Sequence, residues 1–417
     1  MNIFELSKSI LVKVVLNDYP FSLALKNTFK KNNVDSASKS NISALIGCEL
    51  RHHYIFDNLI DRFFGEVEFE KTVYLRFALA NGLFLKRFAE KEIIALAELD
   101  LDKEKIYELY NFVKSTNEII PGELDKISPE YLSLRYNTPS WVVRMWQKQY
   151  GKGITFKVLK VNYRPSASSF RVNESKINID EFLGKHPDFA KAPVENMVVY
   201  QGRGSAKNLP EFESGALFFM KMATKVVVDT LELDPIKGIS IYSEVPNNIY
   251  LDLLTRFNVD AQADIVINNT ANYIETKKTL EKFNAPHIYL YEADHTSLLT
   301  CLSKKVHTFI CLPKSTAFDL LRSTPDYFLR IKQEKLDEII ANQSAALEEC
   351  LKFVEEGGEL VYMIPTLSRK ESNNVIAKFL VEHKEFVLVE EEQFFPFDEY
   401  DSCLYSARLK KVEKQSD

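Results

Sequence analysis

Apolar residues in the first third of the chain recur at helical spacing. Ile3, Leu6, Ile10, Leu11 and Val14 share one face, and Leu45, Leu50, Tyr54, Ile55, Leu59 and Phe63 continue the pattern. Val73, Leu75, Phe77, Ala80 and Leu83 follow, then Ile93, Leu96 and Leu99, with breaks at Asn32-Asn33, Gly65 and Pro121-Gly122. Residues 1–126 therefore predict a compact all-helical domain of four to six helices. From residue 206 to 413 the period alternates. Apolar strands are predicted at 238–243, 263–268, 287–292, 306–312, 359–364, 385–390 and 403–409. Helices are predicted between most of them, at 248–257, 271–283, 334–356 and 371–383. Strands that alternate with helices imply a parallel sheet covered on both faces, and no clear helix separates the last two strands.

Residues 127–205 join these halves. Thr138 is placed to cap a helix with Pro139 at its first position, and Gly151 to end it. That helix sets Trp141, Val142, Met145 and Trp146 on an apolar side, opposite Arg144, Gln147 and Lys148. A short strand is predicted at 168–173. The joining segment thus reads as a small α+β subdomain, and residues 414–417 as a polar, disordered tail.

Composition adds two local anomalies to an ordinary globular profile. The net charge is −6, yet residues 131–176 hold nine Lys and Arg against the single acid Glu174. A basic block inside an acidic protein points to a polyanionic partner more strongly than the total charge argues against one. Its alternative reading is a solvated surface. Glycine is scarce, and none occurs from Ile239 to Glu356. The five cysteines form no CxxC and no metal spacing, which fits a reducing cytosol. His52 and His53 are neighbours on a helix, point to different sides and make a poor metal site. The N-terminus lacks a signal-peptide pattern and no run has the length of a membrane span, so a cytoplasmic protein is expected.

Several short pieces, in order, resemble the Sun/RsmB group of 16S rRNA cytosine-5 methyltransferases. They are the Pro-Ser-Trp helix ending in Gln149-Tyr150-Gly151, the strand Ser169-Phe170-Arg171-Val172-Asn173, Thr324-Pro325-Asp326, the Gly-Gly-Glu-Leu-Val-Tyr strand at 357–362, and the final Asp401–Leu409 segment. The resemblance implies a NusB-like helical bundle, a short RNA-binding subdomain and a Rossmann-like seven-stranded methyltransferase domain using S-adenosyl-L-methionine.

It also implies chemistry that these residues lack. Cytosine-5 methylation needs a thiolate to add to the base, an acid to hold the base, and a glycine-rich turn for the cofactor. In the cofactor turn Pro246 is kept, but Asn247-Asn248 replace the paired glycines and Ile249 the lysine. Asparagine tolerates left-handed backbone, so the turn could survive as a shape. Asn268 stands where a ribose-binding acid is expected, and Asp294 matches the acid near the adenine, unless it is a capping or surface residue. Lys314 and Pro365 occupy the two cysteine positions, and Cys311 stands in the base-binding acid's place as a small buried residue. Glu371 falls at an acidic helix start, best explained by the helix dipole. No catalytic residue is assigned.

The basic block remains. Arg144, Lys148, Lys152, Arg164 and Arg171 are the expected RNA contacts, with Arg171 foremost. Trp141, Trp146 and Tyr163 could stack on bases, although the tryptophans suit a core. The expectation is a catalytically degenerate RNA-binding protein that acts on small-subunit rRNA or a ribosome assembly intermediate and needs no cofactor. The alternatives are an active S-adenosylmethionine-dependent methyltransferase with altered motifs, and a protein-interaction scaffold.

Overall fold

The computed structural model describes residues 2–412 apart from 117, 163–165, 167, 203, 205, 235, 258–261, 284 and 286. The expected disordered tail, 414–417, lies outside the described residues, as do Tyr163 and Arg164. The chain divides into two compact units, residues 1–164 with 320–333, and residues 165–319 with 334–417.

The first unit is helical. Seven α-helices run from Ile3–Leu16 to Lys103–Ser115, one more than the upper expectation. The extra boundary is at His52, with φ −128° and ψ 18°, which separates Ser36–Arg51 from His53–Phe64 without Gly or Pro. Its ring takes up the Cys48 carbonyl at 2.8 Å and stacks on Phe84 at 3.7 Å, so side-chain contacts hold a break that local propensity does not announce. His53 instead joins a buried ionic cluster. Its Nδ1 meets Glu49 at 2.8 Å, and Arg76 bridges Glu49 and Asp57. Burial alone would raise the Glu49 carboxyl, but His53 and Arg76 outweigh it and hold it below the ordinary range.

Two more helices, Pro129–Tyr136 and Ser140–Asn162, follow in this unit, the second kinked at Gly151 (φ +79°) where the first stretch ends as expected. At its start the Pro139 carbonyl accepts the Val142 and Val143 amides at 2.9 and 3.1 Å, while the Thr138 hydroxyl donates back to the Tyr136 carbonyl at 3.0 Å. The stretch 320–333 belongs with these helices. Buried Asp326 accepts the Phe21 amide at 3.0 Å, capping a helix whose own N-cap is Pro20.

The second unit holds two sheets. The small one has strand order β2-β3-β1-β4, all antiparallel, formed by β1 (Ser168–Val172), β2 (Phe189–Lys191), β3 (Met197–Tyr200) and β4 (Leu217–Phe219). Only β1 was legible, because strands of three or four residues show no period. The large sheet comprises β5 (Ile239–Ser243), β6 (Ala263–Ile267), β7 (Ile288–Glu292), β8 (Val306–Leu312), β9 (Val354–Ile364), β10 (Phe386–Phe394) and β11 (Leu404–Lys411). Its order is β10-β11-β9-β8-β5-β6-β7, with β5 to β9 parallel and β11 antiparallel to both neighbours. This is the expected Rossmann-like seven-stranded architecture. Separate apolar clusters cover its faces, one around Ile241, Ile265 and Met363, the other around Tyr242, Phe309 and Tyr362.

One element differs. The helix expected at 334–356 ends at Cys350, and its last residues open β9 instead. Within β9, Gly358 lies at a register shift against β8, where a Cβ would lie 2.7 Å from the His307 carbonyl, a distance only glycine permits.

Candidate functional site: the crevice at the strand ends

In an open parallel sheet the ligand crevice lies beyond the carboxyl ends of the strands, where successive connections run in opposite directions. Here that point falls between β5 and β8. The crevice is bridged by the chain itself. The Glu244 amide donates to Leu312 O at 2.9 Å and the Asn268 amide to Ser243 O at 3.0 Å, which carries the ladder one residue past the strands. The Glu244 side chain then crosses the gap. One carboxylate oxygen accepts from the Lys314 amide and from Asn342 Nδ2, both at 2.8 Å. The other accepts from the Tyr242 hydroxyl at 2.6 Å and from Asn268 Nδ2 at 3.4 Å, and His295 Nδ1 lies 3.7 Å away. Burial pushes this carboxyl up, but the Tyr242, Lys314, Asn342 and Asn268 hydrogen bonds prevail and hold it low. Glu244 is therefore an ionised tie between the ends of β5, β6 and β8 and the helix Leu336–Cys350.

The turn after β5 is closed in the same manner. Neither Asn247 nor Asn248 takes a positive φ, which corrects the expectation that left-handed asparagines preserve the turn. Their side chains do so. Asn247 donates to Ser243 Oγ at 2.9 Å and accepts from the Ile249 amide at 3.2 Å, while Asn248 donates to Phe219 O at 2.7 Å.

A second bridge closes the neighbouring ends of β8 and β9. Glu371 is fully buried and lies just before the N-cap Ser372 of the helix Asn373–Glu382, where side-chain and backbone donors from other elements meet it. Its carboxylate accepts from the Thr316 amide at 2.8 Å, the Thr316 and Thr366 hydroxyls at 2.7 Å each, and Gln343 Nε2 at 3.1 Å. Burial raises this carboxyl, and the four donors only moderate the rise. Around it, Gln343 donates to Lys314 O at 3.0 Å, and Pro365 O accepts from the Phe318 amide at 3.0 Å and Ser315 Oγ at 3.3 Å. Ala317 is forced to φ +56° between them.

The expected site residues divide accordingly. Lys314 contributes backbone to both bridges while its side chain is exposed, and Pro365 offers only a carbonyl. Cys311 is buried, and its neighbour Cys350 has a thiol pushed up by burial and by Cys311. Asn268 touches Glu244; Pro246 and Asp294 are exposed, and Asp294 is lowered by the Thr296 hydroxyl at 2.6 Å. Sequence reasoning missed Glu244, Asn342 and Gln343. Their only local signal is polarity next to apolar elements, because their partners come from other parts of the chain.

Comparison with known proteins agrees with this architecture. Over 397 residues the chain is 19% identical to the probable ribosomal RNA small subunit methyltransferase B of Bacillus subtilis (strain 168), covering 92% of this chain and 89% of that protein. The crystal structure of PH0851 superimposes with a TM-score of 0.77 at 17% identity over 99% of both chains. The crystal structure of NSun6 from Pyrococcus horikoshii with SFG gives 0.60 at 14% identity, over 67% of this chain and all of that one. No family model matches the chain. The chain resembles the Sun/RsmB group along nearly its whole length.

Against the Sun/RsmB pattern, the crevice is crossed by the chain's own side chains. A bound nucleoside needs an open cleft lined by close backbone. Here the Glu244 carboxylate and its partners span that cleft, and two asparagine side chains fold into the turn.

The residues expected to meet RNA also separate. Lys148 and Lys152 are exposed on the kinked helix. Arg144 is 54% exposed and pairs with Glu130 and with Ser140 Oγ at 2.8 Å. Lys157 and Lys160 extend the row beyond the kink, and Phe156, just before Lys157, is exposed. Trp146 is buried, as a core residue. Arg171 is a correction. It is buried, with Nε 2.9 Å from the fully buried Asp252 and a terminal nitrogen 2.6 Å from Glu174. Asp252 also holds Arg256 at 2.7 Å. Arg171 is an internal ion-pair residue of the second unit and leaves the surface set. Outside the crevice, Glu348, Glu382 and His383 are a surface group whose ligand atoms lie within 4.8 Å of one another. No helix among the described residues is long and apolar enough to cross a membrane.

Proposed function

We propose that the chain is an RNA-binding protein of the Sun/RsmB type that no longer methylates, and that it acts on small-subunit rRNA or on a ribosome assembly intermediate. The observation that carries this reading is the pair of internal bridges, Glu244 and Glu371, across the strand ends where the group does its chemistry. A nucleophile is missing as well, since Lys314 and Pro365 stand at the cysteine positions. Support for RNA comes from the exposed row Arg144, Lys148, Lys152, Lys157 and Lys160, whose charges can track phosphates. The helical first unit is a docking module of the NusB-like kind in this reading, and the protein works in the cytoplasm.

The test uses purified full-length protein, a 16S rRNA transcript and methyl-labelled S-adenosylmethionine. The expected result is salt-dependent RNA binding with no label transferred. Label on cytosine would overturn the degenerate reading. RNA binding that is absent, or unchanged by Lys148→Glu with Lys152→Glu, would overturn the RNA reading.

A further inference from the structure

β10 forms one edge of the large sheet, and among the described residues no strand pairs with its outer side. Its middle projects from the fold on both faces. Val387, Leu388 and Val389 are 47%, 41% and 45% exposed, and Glu390 to Glu392 are exposed after them. A register shift between Leu388 and Glu390 marks a bulge. From Glu385 to Asp401 the chain has seven acids and no Lys or Arg. Part of this charge has partners within the chain. Glu390 lies 3.4 Å from Arg408, and Glu391 accepts from Asn373 at 2.7 Å. Glu392 is different, because its charged neighbours are Glu390 and Asp398. Burial and those two acids raise its carboxyl above the ordinary range. On the inner side of the strand, over β11 and β9, is a cleft lined by Thr230, Leu231, Val361, Glu392, Ser406 and Arg408.

We propose that β10 is a docking edge that takes an extended lysine- or arginine-rich segment of a partner protein as an added strand. An unpaired edge supplies backbone donors and acceptors, and an incoming strand gains its affinity from them. The exposed Val387–Val389 run offers apolar cross-strand contacts, and the Glu390–Glu392 run selects the sign of the partner. A second copy of this chain is disfavoured on the same strip, because antiparallel pairing would set glutamates against glutamates or leave the valines facing acids. A cationic segment relieves the crowding of Glu392 with Glu390 and Asp398. The inference is independent of the RNA reading, since it concerns another surface and another class of partner.

The experiment titrates full-length protein into a fluorescein-labelled nine-residue peptide of alternating Lys and Val and reads anisotropy. Saturable one-to-one binding is expected, with hydrogen-exchange protection appearing over 387–392 in the unmodified protein. The same peptide methylated on alternate backbone nitrogens should bind at least tenfold more weakly, because it cannot donate the added-strand hydrogen bonds. The double variant Glu390→Lys, Glu392→Lys should lose at least tenfold, and an alternating Glu–Val peptide should not bind. The proposal is overturned if no saturable binding occurs, or if the N-methylated peptide binds equally well and so reports charge alone. It is also overturned if exchange protection falls elsewhere, or if light scattering shows a dimer whose formation buries 387–392. The exchange readout on unmodified protein decides the question even if the double variant fails to fold.

Discussion

Removing Glu371 should loosen the strand ends in a way its hydrogen bonds make calculable. In Glu371→Ala four donors lose their acceptor. The Thr316 and Thr366 hydroxyls lie 3.0 Å apart and can bond each other, and Gln343 keeps Lys314 O at 3.0 Å. The Thr316 amide is left stranded. An unsatisfied buried amide costs roughly 1–3 kcal/mol, and losing hydrogen bonds to a charge adds to it, offset by no longer burying that charge. The expected net cost is about 2–4 kcal/mol. Hydrogen exchange over β9 and residues 314–318 should then accelerate by roughly 30-fold or more, at about 1.4 kcal/mol per tenfold. Glu371→Gln retains an acceptor without charge and should fall within about 1 kcal/mol of the parent at neutral pH.

The pH dependence gives a second reading of the same residue. The folded-state carboxyl of Glu371 is raised above its ordinary 4.5, so the stability it confers is full below that value and is lost as pH rises through the folded value. Glu371→Gln carries no such loss and should gain on the parent as pH rises from 4.5 toward neutrality, then run parallel. Urea midpoints across that range, with unchanged slopes, measure it. An alanine cost under about 1 kcal/mol, or a parent–glutamine difference that is flat or of opposite sign, would refute the bridge.

Glu244 should behave oppositely, because its carboxyl is held low. Its stabilisation is present above pH 4.5 and lost as pH falls through the folded value, so Glu244→Gln should flatten the acid limb of the urea midpoint profile. Ala317→Gly should stabilise the protein by about 1 kcal/mol in urea unfolding, since φ +56° strains alanine and not glycine. Arg171→Ala should cost about 3–5 kcal/mol by leaving Asp252 buried beside Arg256 alone, and it should not alter RNA affinity in the fraction that folds, as filter binding would show. Lys148→Glu should weaken RNA binding uniformly across sequences and lower the slope of log affinity against log salt by about 0.7–0.9 for each phosphate no longer neutralised.

The contrast between what was legible and what was not follows range of interaction. Strands β5, β6 and β8 are largely buried on both faces, so each shows as an apolar run, and the helices between the strands imply that they are parallel. Gly151 announced its kink because a positive φ has a residue-level signature. The strands β2, β3 and β4 left no period to read. Arg171 looked like a surface cation because its partner Asp252 lies 81 residues away. The crevice was legible as a set of losses, through Asn247, Asn248, Lys314 and Pro365. It was not legible as a gain, since Glu244 meets Asn342 across 98 positions and Glu371 meets Thr316 across 55. Asp326 likewise sits in a stretch that reads as part of the α/β half, yet it caps a helix 305 residues earlier.

The central claim is that the chain's own side chains occupy the cofactor crevice. Calorimetric titration of the full-length protein with S-adenosylmethionine to millimolar concentration tests it most directly. The account predicts no binding heat, both for the parent and for Glu244→Gln. Saturable binding in the micromolar range by the parent protein would contradict it.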